Sequence, residues 1–150
     1  MTHYKGNRRE QRALDTYVKL MRAAESVTAR VNRDLDAAGL TISQFGVLEA
    51  LYHLGPLVLS DLARKILKTS GNLTMVVDNL EKRRLAERSP DPSDRRFVRV
   101  SITPRGRKLI AAIFPGHARQ IARAFSVLSP SEQDALASLC RKLGKAQEEQ

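Results

Sequence analysis

The sequence predicts a mainly α-helical fold with one small β-hairpin. Three observations predict it. Apolar residues recur at spacings of three and four through most of the 150 residues. Around residues 97–102 the period changes to strict alternation, with Val98, Val100 and Ile102 set against Phe97, Arg99 and Ser101. Ser, Thr, Gly and Pro also stand where helices would start and stop.

Residues 1–12 are polar and basic and read as a loose arm. From Leu14 a stripe of Leu14, Tyr17, Val18, Met21, Ala24, Val27, Val31 and Leu35 predicts one long helix, closed by Gly39. Ser43 is the expected N-cap of a second helix that turns Val47, Leu48 and Leu51 inward and ends at Gly55-Pro56. Ser60 is expected to cap a short third helix over 61–67, with Asp61 at the positive end of its dipole. Residues 68–71 read as a tight turn. Leu73, Val76, Val77 and Leu80 then predict a fourth helix that ends near Arg83 or Arg84.

The strand at 98–102 needs a partner, and 85–89 is the candidate, joined to it through the turn-formers of 90–94. Arg95 and Arg96 fall at the tip of this hairpin. Thr103-Pro104 is an N-cap followed by proline at the first helical position. The fifth helix carries Leu109, Ile110, Ile113 and Phe114, is expected to kink at Pro115-Gly116, and resumes through Ile121, Phe125 and Leu128. Ser129 and Glu132 form a capping box for a sixth helix, with Leu136, Leu139, Cys140 and Leu143 expected inward.

Charge is focused. The chain has 26 Lys and Arg against 16 Asp and Glu, a net charge of +10. Residues 60–108 hold 13 basic and 6 acidic side chains, so +7 of that total falls in the middle third. A focused basic region points to an anionic partner, nucleic acid first and a membrane surface second, rather than to a merely solvated charged face. The longest apolar run, 109–114, is too short to span a bilayer. No basic start leads into an apolar segment of the secretory type, so a cytoplasmic, nucleoid-associated protein is the simplest expectation. A single cysteine, Cys140, excludes an internal disulfide framework and a cysteine-rich zinc site. The three histidines are scattered, so no metal is expected. The motifs of phosphate loops, serine hydrolases and zinc peptidases are absent, so neither catalytic residues nor a cofactor is expected.

Helix, helix, helix, hairpin is the order of a winged helix-turn-helix, here over 43–103. Residues 1–42 would be an arm and dimerisation helix, and 104–150 the C-terminal dimerisation helices. The fourth helix would enter the major groove of double-stranded DNA. Its outward positions include Gly71, Asn72, Thr74, Met75, Asp78, Asn79 and Lys82. Amides and hydroxyls bond base edges, and Met75 suits a thymine methyl. Thr69 and Ser70 stand where helix-start N–H groups suit a phosphate. An ordinary amphipathic helix with a neutral outer face has much the same composition, and the adjacent basic hairpin favours DNA. On that hairpin Asp94 is placed to orient an arginine, and Arg95 and Arg96 can reach a narrow minor groove.

The segments 40–56, 59–85 and 91–110 together resemble the MarR family of bacterial transcriptional regulators. The wing DPSDRRFVRVSITPRG is similar to that family's Asp-x-Arg-Asp-x-Arg signature with a following Thr-x-x-Gly. The resemblance carries Asp91, Asp94 and Arg96 onto the signature, and Thr103 and Gly106 onto its continuation. It implies a homodimeric, ligand-responsive repressor with an effector pocket between the dimer helices and each winged helix, and small aromatic or phenolic effectors. Met21, Tyr52 and His53 are the pocket candidates, each also compatible with ordinary packing. Two positions depart from the pattern. Ser93 replaces an arginine, and Arg84 replaces the glycine that usually ends the reading helix.

Dimerisation also has an independent argument. A winged helix of about 60 residues cannot cover the apolar stripes of 14–35, 109–128 and 136–143, and a second copy could bury them across a two-fold axis. A constitutive architectural DNA-binding protein without an effector is the alternative reading.

Overall fold

The computed structural model describes residues 4–66 and 70–148, the side chains of Ser70 and Gly71 excepted. Seven helices and three strands follow one another in it: α1 (Arg8–Val31), α2 (Arg33–Ala37), α3 (Ile42–Leu54), β1 (Leu57–Val58), α4 (Leu59–Lys65), α5 (Ser70–Lys82), β2 (Ala86–Pro90), β3 (Val98–Ile102), α6 (Pro104–Phe125) and α7 (Pro130–Glu148). They divide into two compact units. One is formed by Asn32–His117, the other by Met1–Val31 with Ala118–Gln150.

The unit Asn32–His117 holds the core. Leu48 and Leu51 of α3, Leu62 of α4, Leu73, Val77 and Leu80 of α5, Val100 of β3 and Ile110 of α6 are fully buried there. The fifteen buried apolar side chains of this cluster come from α2 to α6, β2, β3 and the adjoining loops, and Leu57 of β1 packs against them, so burial ties helices and sheet into one body. The hairpin is present as expected, with Ala86 opposite Ile102, Arg88 opposite Val100 and Pro90 opposite Val98. A third strand escaped the sequence reading. β1 pairs antiparallel on the other side of β3, with Leu57 opposite Val100, so the strand order is β1-β3-β2. Two residues are too short to display alternation.

Several boundaries differ from expectation. The N-cap of α3 is Thr41, not Ser43. Thr41 is extended (φ −74, ψ 160), its hydroxyl accepts from Gln44 N, and Gln44 returns a bond to the Thr41 N–H. Leu40 and Phe45 are buried on either side of the cap, the arrangement of a hydrophobic staple. Ser60 does not cap α4, which begins at Leu59 after an extended Val58 without a side-chain cap. Pairing of Val58 with Arg99 already fixes that extended residue, so the helix starts straight from the strand. The predicted long helix is broken at Asn32, and Gly39 (φ 67) closes the short α2 instead. Much of the supposed arm is helical. Asn7 caps α1 through Glu10 N at 2.9 Å, and Glu10 accepts from Asn7 N at 3.2 Å. The turn predicted at 68–71 lies partly outside the described residues, and α5 has begun by Ser70.

The other unit is different in kind. α1 has 24 residues and buries only Val31, and α7 has 19 and buries none. Leu136, Leu139, Cys140 and Leu143, expected inward, are exposed, Leu139 to 65%. Periodicity identifies an apolar face but not what covers it. The capping box that starts α7 is as read, with Ser129 N donating to Glu132 at 2.7 Å. The hydrogen bonds from Ser129 hold the Glu132 carboxyl below its ordinary pKa.

Candidate nucleic-acid interface

α5 presents three faces at helical spacing. Leu73, Val77 and Leu80 are buried in the core. Asn72, Met75, Asn79 and Lys82 are exposed on the opposite side, Met75 to 66%. Thr74, Asp78 and Glu81 form a flank between them, turned toward β2. Arg88 of β2 meets that flank. Its Nη1 lies 2.7 Å from Asp78 Oδ1 and 2.8 Å from Glu81 Oε1, and its Nη2 donates to the Thr74 carbonyl at 3.0 Å. Thr74 and Asp78 are exposed, as expected of outward positions, and lie on this flank rather than on the Asn72 side. Thr69 lies outside the described residues, and Ser70 is the first residue of α5.

The C-terminus of α5 is set by backbone chemistry. Arg84 adopts φ 56, its N–H bonds Glu81 O at 2.8 Å, and Leu85 N bonds Leu80 O at 2.9 Å. This is the Schellman closure, with arginine in the place that favours glycine. The cap that usually takes glycine therefore forms at Arg84 as well. Thr103 then locks the junction. Its hydroxyl donates to Arg84 O at 2.7 Å and accepts from Gly106 N at 3.0 Å, while its own N–H bonds Leu85 O at 3.1 Å. A Cβ on Gly106 would collide with the Leu85 carbonyl oxygen. The Thr-x-x-Gly spacing is thus a backbone staple between the end of α5 and the start of α6.

The wing tip is a second device built from few atoms. The Asp91 carboxylate accepts from Ser93 N at 3.1 Å and Asp94 N at 3.3 Å, and Asp91 N bonds Phe97 O at 2.9 Å. Ser93 contributes its backbone N–H to this turn, so the turn forms without the arginine that the family signature has there. Asp94 accepts from Arg96 N at 3.1 Å and grips its guanidinium, with Nη2 to Oδ2 at 2.6 Å and Nε to Oδ1 at 3.0 Å. The side-chain bond from Arg96, then its backbone bond, holds the Asp94 carboxyl below its ordinary pKa, and the same contact raises Arg96. Arg95 is exposed beside it, and the Arg96 side chain is 86% exposed.

An apolar cleft of 560 Å³ opens elsewhere on the same unit. Ile42, Ala50 and Leu54 of α3, Ile66 and Phe114 supply its walls, and Glu49, His53 and Lys65 its charged or polar groups. Of the three effector candidates, His53 lines this cleft, with its ring 4.7 Å from that of Phe114. Tyr52 neighbours His53 but packs against the core, with the Arg107 guanidinium 5.3 Å from its ring centre. Met21 belongs to the other unit, in an apolar groove along α1 with Tyr17 and Val18. Among the described residues no group of three or more His, Cys, Asp or Glu could hold a metal ion. Nor is any described helix long and apolar enough to cross a membrane.

Sequence reasoning missed Arg88. Its signal was present as a basic residue on a strand and two acids on a helix, but only the fold shows that they meet.

Comparison with known proteins gives a consistent picture. The MarR family model matches residues 40–98. The HTH-type transcriptional regulator YkoM of Bacillus subtilis is 42% identical over 134 residues, 89% of this chain and 87% of its own. Among solved structures, Bordetella bronchiseptica BpsR, whose DNA binding is regulated by 6-hydroxynicotinic acid, is 34% identical with a TM-score of 0.76, covering 87% of this chain and 98% of that one. Sco3205, a MarR family transcriptional regulator of Streptomyces coelicolor solved in complex with DNA, is 26% identical with a TM-score of 0.82, covering 95% and 93%.

Proposed function

The chain belongs to the MarR family of transcriptional regulators, and from that premise we propose that it is a ligand-responsive homodimeric repressor that binds a pseudo-palindromic DNA operator and performs no chemistry. The observation that carries this reading is the wing, where Asp94 holds the Arg96 guanidinium on an exposed tip of the most basic segment of the chain. An arginine so oriented suits the deep negative potential of a narrow minor groove. Asn72, Thr74, Met75 and Asn79 would read base edges in the adjoining major groove, and Thr69, Ser70 and Arg95 would contact the backbone.

Dimerisation follows from the unit that holds α1 and α7. Helices of 24 and 19 residues that bury one residue between them lack the packing that makes helices stable in water. A second copy supplies it, and sets two reading helices about 34–36 Å apart, one turn of DNA. A small aromatic or phenolic effector in the cleft beside His53 would act by linkage. If it prefers a dimer whose reading helices are misplaced, it weakens DNA binding by the same factor as DNA weakens its own. A regulator that binds DNA in this way would act in the cytoplasm, on the nucleoid.

The test is selection of duplexes from a random-sequence pool by the wild-type protein. A palindromic motif is expected, and a pool without enrichment overturns the reading. Arg96→Ala should bind the enriched duplex at least roughly tenfold more weakly, with the slope of log affinity against log salt reduced by about one. An unchanged affinity and slope would remove Arg96 from the interface.

A further inference from the structure

Arg88 lies in the basic third of the chain, yet its charge is turned inward. On β2 it stands opposite Val100, and its side chain is 24% exposed. The guanidinium reaches across to α5 and touches Thr74, Asp78 and Glu81, whose spacing of four and three makes them one flank over two helical turns. Asp78 and Glu81 are also the two acidic residues of α5.

We propose that Arg88 is a positioning residue for DNA recognition, which locks the reading helix to the first wing strand so that one duplex can meet both. The proposal rests on the DNA-binding reading above and names a device within it. Base-edge hydrogen bonds tolerate misplacement of only about half an ångström, so the elements that carry them need directional support. The core contacts of Leu73, Val77 and Leu80 hold α5 down, but apolar packing is non-directional about the helix axis and resists rotation poorly. A planar guanidinium with two carboxylates and a carbonyl in its fork is directional, and an ammonium in its place would be a point charge without that geometry. Two carboxylates on one guanidinium also leave Arg88 without charge to spend on phosphate. In return, its presence offsets the only acidic groups on a helix that must approach a polyanion.

This assignment reverses the sign expected from charge alone. Removing Asp78 and Glu81 takes negative charge from the reading helix and frees Arg88, so electrostatics by itself predicts tighter binding to any DNA. Positioning predicts looser binding to the operator.

The experiment uses the full chain as wild type, Arg88→Met and the double variant Asp78→Asn with Glu81→Gln. Each is checked for fold by circular dichroism and measured below its melting temperature. The probes are the duplex enriched by wild type and a shuffled duplex of the same composition, titrated over a range of salt. Arg88→Met should lose roughly tenfold on the enriched duplex, with an unchanged salt slope and little loss on the shuffled one. The double variant should lose similarly on the enriched duplex while binding the shuffled one as well as wild type or better. A fall in slope of about one for Arg88→Met would make it a phosphate contact and overturn the proposal. Equal losses on both duplexes, or none on either, would overturn it as well. Should Arg88→Met not fold, the double variant alone decides, by whether it loses discrimination. Failure of wild type to enrich any duplex is a different result, and strikes at the DNA-binding reading itself.

Discussion

Arg84 and Gly106 show how single residues set the geometry of the recognition module. Arg84 is the one described non-glycine residue with a positive φ. The left-handed conformation crowds its Cβ, at a cost of roughly 1–2 kcal/mol. Arg84→Gly should therefore raise stability by somewhat less, about 1 kcal/mol, because glycine also gains freedom in the unfolded chain. Gly106→Ala should act in the opposite sense. Its Cβ would meet the Leu85 carbonyl, which cannot withdraw without breaking its bond from Thr103 N. A loss of roughly 1–3 kcal/mol is expected. Urea denaturation of both variants checks the pair. A destabilised Arg84→Gly would mean that the arginine side chain contributes more than its backbone strain costs.

At the scale of the element, α5 divides its labour by face. One side is core, one flank faces Arg88, and the side of Asn72, Met75, Asn79 and Lys82 is exposed. That last side, with the exposed Thr74 beside it, carries the groups proposed to form base-edge contacts. Asn72→Ala is expected to lower affinity for the selected duplex by about 1–3 kcal/mol and to leave affinity for shuffled DNA nearly intact, so that discrimination flattens. Competition binding with the two duplexes measures it, and equal loss on both would argue against direct readout by Asn72. The helix period was legible in the sequence because Leu73, Val77 and Leu80 repeat. The flank was not, because it is defined by a strand residue ten positions after Asp78, across a reversal of the chain.

For the whole molecule the decisive feature is the mismatch between the two units. Asn32–His117 closes a core of its own, whereas α1 and α7 leave Tyr17, Met21, Leu139 and Leu143 at least half exposed. Sedimentation of the wild-type protein at micromolar concentration should give twice the mass of the chain. Leu139→Glu combined with Leu143→Glu should give the single-chain mass, since each buried carboxylate would need a partner that the apolar face does not provide. The same variant should bind the palindromic duplex far more weakly, as two half-sites are then bound separately. A wild-type protein that sediments as one chain would leave the exposed faces without this occupant.

By itself the sequence determined the helical class, the hairpin about its proline-containing turn, the capping box of Ser129 and Glu132 three residues apart, and the basic middle third. All of these are local in the chain, and short-range periodicity or spacing encodes them. The tertiary structure decided what depends on residues that meet from afar. It showed that β1 completes the sheet, that Thr103 staples the end of α5 through its hydroxyl, that Arg88 braces two acids of α5, and that Cys140 lies on an open face. Such contacts arise from the joint burial of separate elements, and one segment's pattern cannot state which other segment it will meet.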